Sequence, residues 1–268
     1  MDTNMNVFFP VREETLKTVD SGKIVNKKAI INSETNKVVS VVSDNYKLVS
    51  NLEITEWFEN YLKETDVPFR RIGIYGNESG SKFWAKYRFP ETISEIGPPR
   101  VTPFGKKVPD KVEMMATLQN SYDGSLAHGF DIGGYRLVCL NGLMVPMDNI
   151  HVWRQKHTIN FSDVVDTIAI NFQTMKDHFE AVSKEWKALT QQEFNAKKTL
   201  TVLRALELSK MYQSWLAETY KDYRRNQKLN TMWDVYNMVT WFATHVVEQR
   251  NRILAKQINT TAFQNLVG

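Results

Sequence analysis

The chain has a single cysteine, Cys139, among 268 residues. One thiol excludes an intramolecular disulfide and any zinc site built on two or more cysteines, and it suits a reducing compartment. Long apolar runs are missing too. Nothing approaches the ~18 unbroken apolar residues of a membrane span. The polar opening Met1–Asn6 lacks the basic-then-apolar pattern of a secretory leader. The expectation is a cytoplasmic protein without membrane association. Catalytic signatures are also absent: there is no dinucleotide-binding glycine fingerprint, no Gly-x-Ser-x-Gly elbow and no His-Glu-x-x-His. Gly76–Lys82 comes near a phosphate loop, but only three residues separate its glycines and Ser81 stands before Lys82. A hairpin turn accounts for it better.

What is present marks a folded protein: 42% hydrophobic residues and seven tryptophans. The net charge is only +4, yet it is unevenly spread. Residues 70–111 hold nine basic and four acidic side chains, and residues 195–268 hold eleven and five. The stretches before and between them are neutral or acidic. Two such blocks make a surface for a polyanion if they meet, and two solvated faces if they do not.

The first half reads as strands with one helix. Lys27–Asn32 and Lys37–Val42 are β-branched runs joined by a polar turn, followed by a short strand at Tyr46–Val49. Ser50 and Glu53 form a capping box for a helix whose apolar face is Ile54, Phe58, Tyr61 and Leu62. Phe69–Tyr75 and Lys82–Phe89 make a second hairpin. Glu95–Asp110, with four prolines, reads as a basic loop carrying Arg100, Lys106 and Lys107. Lys111–Gln119 and Leu126–Ile132 are strands, and Gly133-Gly134 offers a turn into Tyr135–Val145, which holds Arg136 and Cys139. From Ser162, a plausible N-cap, the period turns helical. Val165, Ile168, Phe172, Met175, Phe179, Val182, Trp186 and Leu189 form a heptad seam. Further helices are expected over Ala196–Arg225 and from Thr231.

The fold class expected is therefore α+β: an antiparallel, hairpin-built sheet with one embedded helix, followed by a three-helix C-terminal layer or bundle. The division expected is a β-rich domain over 1–160 and a helical region over 161–268.

For chemistry, the five histidines are His128, His151, His157, His178 and His245. Their spacing dictates no metal site, and satisfied structural histidines are the simpler account. A metal-dependent enzyme using His128, His157 or His245 is the weakest of three functional readings. Cys139, inside an apolar run, reads as a small core hydrophobe. No catalytic residue, metal or cofactor is expected. The positive signal is the interleaving of cations and aromatics on the second hairpin. Alternation along Lys82–Phe89 puts Lys82, Trp84, Lys86 and Arg88 on one face and Phe83, Tyr87 and Phe89 on the other. Single-stranded nucleic acid sites combine cations for phosphates with an aromatic for base stacking. The candidate contacts are Arg70, Arg71, Lys82, Trp84, Lys86, Arg88, Arg100, Lys106, Lys107 and Arg136.

Five segments in order carry a family resemblance: Tyr46–Asn51, Asn120–Ser125, Tyr135–Val145, Arg154–Thr158 and Trp233–His245. With them the chain resembles a family of phage and plasmid-like proteins long catalogued as a domain of unknown function. The resemblance implies a mobile-element or phage gene acting in a bacterial cytoplasm, and it brings no catalytic residues. A more distant likeness, in element order and charge, is to phage single-strand annealing proteins, which bind single-stranded DNA along a basic groove and form rings. The leading expectation is a non-enzymatic protein that binds single-stranded DNA and promotes annealing, with a homo-oligomer among its partners. The alternative is a protein-interaction factor that modulates host machinery or host defence through C-terminal aromatics such as Trp215, Tyr220, Tyr223 and Trp241.

Overall fold

The computed structural model of the chain describes residues 6–101, 107–136, 153–164, 172–226, 228–248 and 250–268. It is α+β. Strands β1 (Val11–Lys17), β2 (Ile24–Asn32) and β3 (Val38–Ser43) form an antiparallel three-stranded sheet in that order. Helix α1 (Asn51–Glu64) follows. Strands β4 (Arg70–Gly76), β5 (Lys82–Val101), β6 (Lys107–Ser121), β7 (His128–Arg136) and β8 (Trp153–Gln155) form a second sheet in sequential order. The remaining elements are helices: α2 (Phe161–Val164), α3 (Phe172–Gln191), α4 (Ala196–Ala205), α5 (Lys210–Arg225), α6 (Met232–Phe242) with a π-helical turn at Ala243–Val247, and α7 (Arg252–Val267).

The chain divides into two compact units interleaved along the sequence. The first is Met1–Phe89, Ala116–Asp131 and His151–Phe172; the second is Pro90–Met115, Ile132–Ile150 and Gln173–Gly268. Each draws residues from both sides of position 160.

In the first unit, α1 starts where the capping box demands. Ser50 accepts from the Glu53 N–H, and the Glu53 carboxylate accepts from the Ser50 N–H. Its buried face, Ile54, Phe58 and Leu62, repeats at helical spacing. Phe58 meets Tyr87 edge-on at 5.1 Å and Phe130 at 5.3 Å. A second cluster, Phe9, Ile30, Val42, Tyr46 and Tyr122, fills the inner face of the first sheet. Tyr46–Val49, expected as a strand, is irregular. Its backbone pairs instead with His157, whose carbonyl accepts from the Lys47 N–H at 2.7 Å.

In the second unit the heptad seam holds over the described residues: Met175, Phe179, Val182, Trp186 and Leu189 are buried along α3. Val165 and Ile168 lie outside the described residues. Ser162, expected as an N-cap, falls inside α2, where its hydroxyl bonds Asp163. Helix α6 is buried almost all round, and Trp233 donates from Nε1 to Asp110 at 3.0 Å.

Three further expectations need correction. Over its described residues Glu95–Asp110 is strand, not loop: Glu95–Val101 extends β5 and Lys107–Asp110 opens β6. The ladder from β4 ends at Arg88, so among the described residues β5 beyond that point has one strand neighbour, β6, and a proline whose nitrogen faces away from it costs no ladder bond. Gly133-Gly134 is not a turn but lies inside β7, and a Cβ on Gly134 would sit 2.5 Å from the Trp186 ring. The glycine leaves room for an indole. The helical region holds more than three helices. Ala196–Arg225 breaks into α4 and α5 at Glu207, whose φ is +46° between buried Leu206 and Leu208. Helix α7 was not foreseen because Ala255, Asn259 and Ala262 supply much of its buried stripe and leave a faint apolar pattern.

Gly134→Ala is expected to destabilise the protein by about 1–3 kcal/mol through overpacking against Trp186. Urea unfolding followed by tryptophan fluorescence checks this.

Candidate nucleic-acid interface

The β4–β5 hairpin belongs wholly to the first unit where the two strands pair. Its turn is closed by side chains: Asn77 Oδ1 accepts from the Lys82 N–H at 2.8 Å, and Asn77 Nδ2 donates to Ser79 and Ser81. Gly80, at φ +69°, completes the reversal. The near-phosphate-loop sequence is thus a hairpin turn.

Burial along β5 alternates as period two requires. Phe83, Ala85, Tyr87 and Phe89 are buried, while Lys82, Trp84, Lys86 and Arg88 are half-exposed. The register sets Arg70 opposite Arg88, Gly73 opposite Lys86 and Tyr75 opposite Trp84, with a shift at Ile72. Directly opposed residues share a face. Arg70, Lys82, Trp84, Lys86 and Arg88 therefore come together, and Tyr75, which the sequence reading did not place among the contacts, joins them. The Tyr75 ring lies back over Gly73, where a Cβ would fall 2.4 Å from its hydroxyl. The Lys86 ammonium sits 5.4 Å from the centre of that ring. Lys82 lies 4.0 Å from Asp123. Two arginines face each other across the strands at one end, and two aromatics do so near the other.

Arg71 is not part of this face. It is opposite buried Tyr87, and its guanidinium pairs with Glu59 of α1 at 2.8 Å. Tyr87 donates to the same carboxylate oxygen at 3.0 Å. Burial, then Glu59, pushes the Tyr87 hydroxyl up from its ordinary range. Arg100 on β5 and exposed Lys107 on β6 belong to the second unit. Arg136 ends β7. Lys106 and Leu137–Val145, with Cys139, lie outside the described residues. Of the C-terminal aromatics, Trp215, Tyr220, Tyr223 and Trp241 are half-buried. The Arg250 guanidinium covers Trp215 at 4.8 Å, and the Lys228 ammonium lies 5.2 Å over Tyr223.

Two of the histidines meet in the first unit. His128 and His157 pack edge to face at 4.7 Å, and Tyr46 stacks on His157 at 4.5 Å. His157 Nδ1 is 3.0 Å from the Lys47 carbonyl, an obligate acceptor, so Nδ1 carries the proton. His128 is fully buried among His157, Trp153 and Phe161. Burial, and then His157, holds its imidazole down to about 3. Burial also lowers His157, against the opposing pull of the Lys47 and Leu126 carbonyls and of Asp123. His245 belongs to the second unit, stacked on Trp241 at 5.0 Å. Among the described residues no group of three or more His, Cys, Asp or Glu is placed to hold a metal. No helix among them is long and apolar enough to cross a membrane.

The order of segments now has its match. A family model described as Domain of unknown function (DUF932) covers residues 38–263. The chain belongs to that family. No curated protein and no solved structure matches it. Three of the five segments behind the resemblance, Tyr46–Asn51, Asn120–Ser125 and Arg154–Thr158, converge in the first unit. Asn120 donates to the Val49 carbonyl at 2.8 Å and to Asn51 Oδ1 at 3.0 Å, and His157 holds Lys47. The sequence reading missed this network. Its signal was the amide and hydroxyl side chains of Asn51, Asn120 and Ser121 beside strong strand formers.

The buried imidazoles set a pH dependence. An unfolded histidine takes up its proton near pH 6.5, whereas folded His128 does so only near pH 3. The unfolded state binds more protons between these values, so stability present above about pH 6.5 is lost as pH falls toward 3. The full slope is about 1.4 kcal/mol per pH unit for each proton. Thermal midpoints are expected to drop between pH 7 and pH 5, and His128→Phe is expected to flatten that drop; an equal slope in the variant contradicts the assignment.

Proposed function

We propose that the chain is a DNA-binding protein of a phage or mobile element that holds single strands on the open face of the β4–β5 hairpin and serves strand annealing in a bacterial cytoplasm. On this reading it binds rather than catalyses. The observation that carries the proposal is the cross-strand pairing on one face: Arg70 against Arg88, Tyr75 against Trp84, with Lys86 over the Tyr75 ring. A phosphate can lie across Arg70 and Arg88, and a polyanion extends from there to Lys86 and Lys82. From Lys82 to Arg88 the strand rises about 20 Å, enough for several nucleotides. Trp84 and Tyr75 offer the faces on which bases stack without regard to sequence.

Labelled single-stranded oligonucleotide titrated across a salt series tests the reading. Affinity is expected to fall steeply with salt, and changing Lys82, Lys86 and Arg88 together to alanine is expected to reduce the log–log salt slope by about 2. Trp84→Ala is expected to weaken binding by about 1–3 kcal/mol with the slope unchanged. Salt-independent binding, or no binding at low salt, overturns the proposal.

A further inference from the structure

A sheet edge exposes a row of backbone donors and acceptors, and proteins blunt such edges with charge, brevity, proline or irregularity. Strand β1 carries Arg12, Glu13, Glu14 and Lys17. Strand β4 carries Arg70 and Arg71, and β8 has three residues. The fourth edge differs. Strand β3 reads Val-Val-Ser-Val-Val-Ser, without a charge, a proline or a glycine, and pairs only with β2 among the described residues. Its one irregularity is a register shift around Val39, which leaves Ser40–Ser43 regularly paired to β2. Val38 is 60% exposed and Val41 49% exposed, although both are strong strand formers beside buried Ile31 and Ala29.

The two ends of the strand indicate what covers it. Lys37 precedes it and Asp44 follows it; both are exposed, and neither makes an ion pair among the described residues. When such a strand meets a second copy of itself antiparallel, the Lys37 end of each copy reaches the Asp44 end of the other. A parallel meeting would set like charges together. The segment is therefore charge-complementary to itself in the one orientation that a two-fold axis produces.

We infer that β3 is a self-association edge: two copies of the chain pair β3 to β3 antiparallel, joining their three-stranded sheets into a continuous six-stranded sheet with Lys37 and Asp44 meeting at both ends. Strand addition of this kind takes its affinity from main-chain hydrogen bonds and its register from the alternate side chains. The inference is independent of nucleic acid binding, and its test uses nuclease-treated protein.

Light scattering on a size-exclusion column across a concentration series is expected to show the mass rising from one chain to two. Val41→Lys, at an exposed position that leaves the core intact, is expected to weaken the dimer at least tenfold. Lys37→Asp alone is expected to weaken it, and Lys37→Asp combined with Asp44→Lys is expected to restore it, a rescue that a folding defect cannot give. Amide exchange over 38–43 is expected to slow as concentration rises. A monomer at every concentration overturns the inference, as does a dimer unmoved by Val41→Lys.

Discussion

The first unit depends on one buried amide. Asn120 is fully buried on β6 and gives its two amide hydrogens to Val49 and Asn51, at the point where the chain enters α1. Asn51 passes the connection on, donating from Nδ2 to the Val7 carbonyl and from its backbone N–H to the Tyr122 hydroxyl. Tyr46 then donates to the Ser121 carbonyl and stacks on His157, which holds Lys47 by both its backbone and its ring. Each bond contributes about 1 kcal/mol net, but an orphaned member costs about 1–3 kcal/mol. The network therefore acts as a specificity device: it selects one arrangement of four chain segments more than it adds stability. It also joins three of the five segments that carry the family resemblance, Tyr46–Asn51, Asn120–Ser125 and Arg154–Thr158.

The proposed binding face sits on a hairpin whose other side is fully committed. Phe83, Tyr87 and Phe89 are buried, with Tyr87 packed on Phe58 of α1, and Arg71 and Tyr87 share Glu59. A rigid underside keeps the cations and aromatics of the upper side in register, and side chains on strands are held more precisely than side chains on loops. The division of labour follows from period-two alternation: one strand supplies core with its odd residues and a charged surface with its even ones.

Much of this was legible locally. The capping box at Ser50 and Glu53, the β2–β3 hairpin, the α3 seam and the two faces of β5 all come from patterns spanning only a few residues. Reading Glu95–Asp110 as a loop failed because a strand with one neighbour tolerates a proline whose nitrogen faces away from that neighbour, and whether β5 has one neighbour or two depends on where β4 stops. Gly133-Gly134 misled for a similar reason: the space at Gly134 is claimed by Trp186, fifty-two residues away. The α4–α5 break rests on a left-handed Glu207 that no glycine or proline announced.

For this protein, then, the sequence by itself determined the start of α1, the β2–β3 and β4–β5 hairpins, the buried seam of α3 and the two faces of β5, because those follow from side-chain period and end capping. Only the tertiary structure decided that Arg71 answers to Glu59 and leaves the basic face, that Tyr75 joins it, that His128 and His157 meet in a buried pair, and that β3 is the uncharged edge. The physical reason is common to all four. Each depends on which partner stands across a strand or against a ring, and register and packing are relations between distant residues that no local pattern carries.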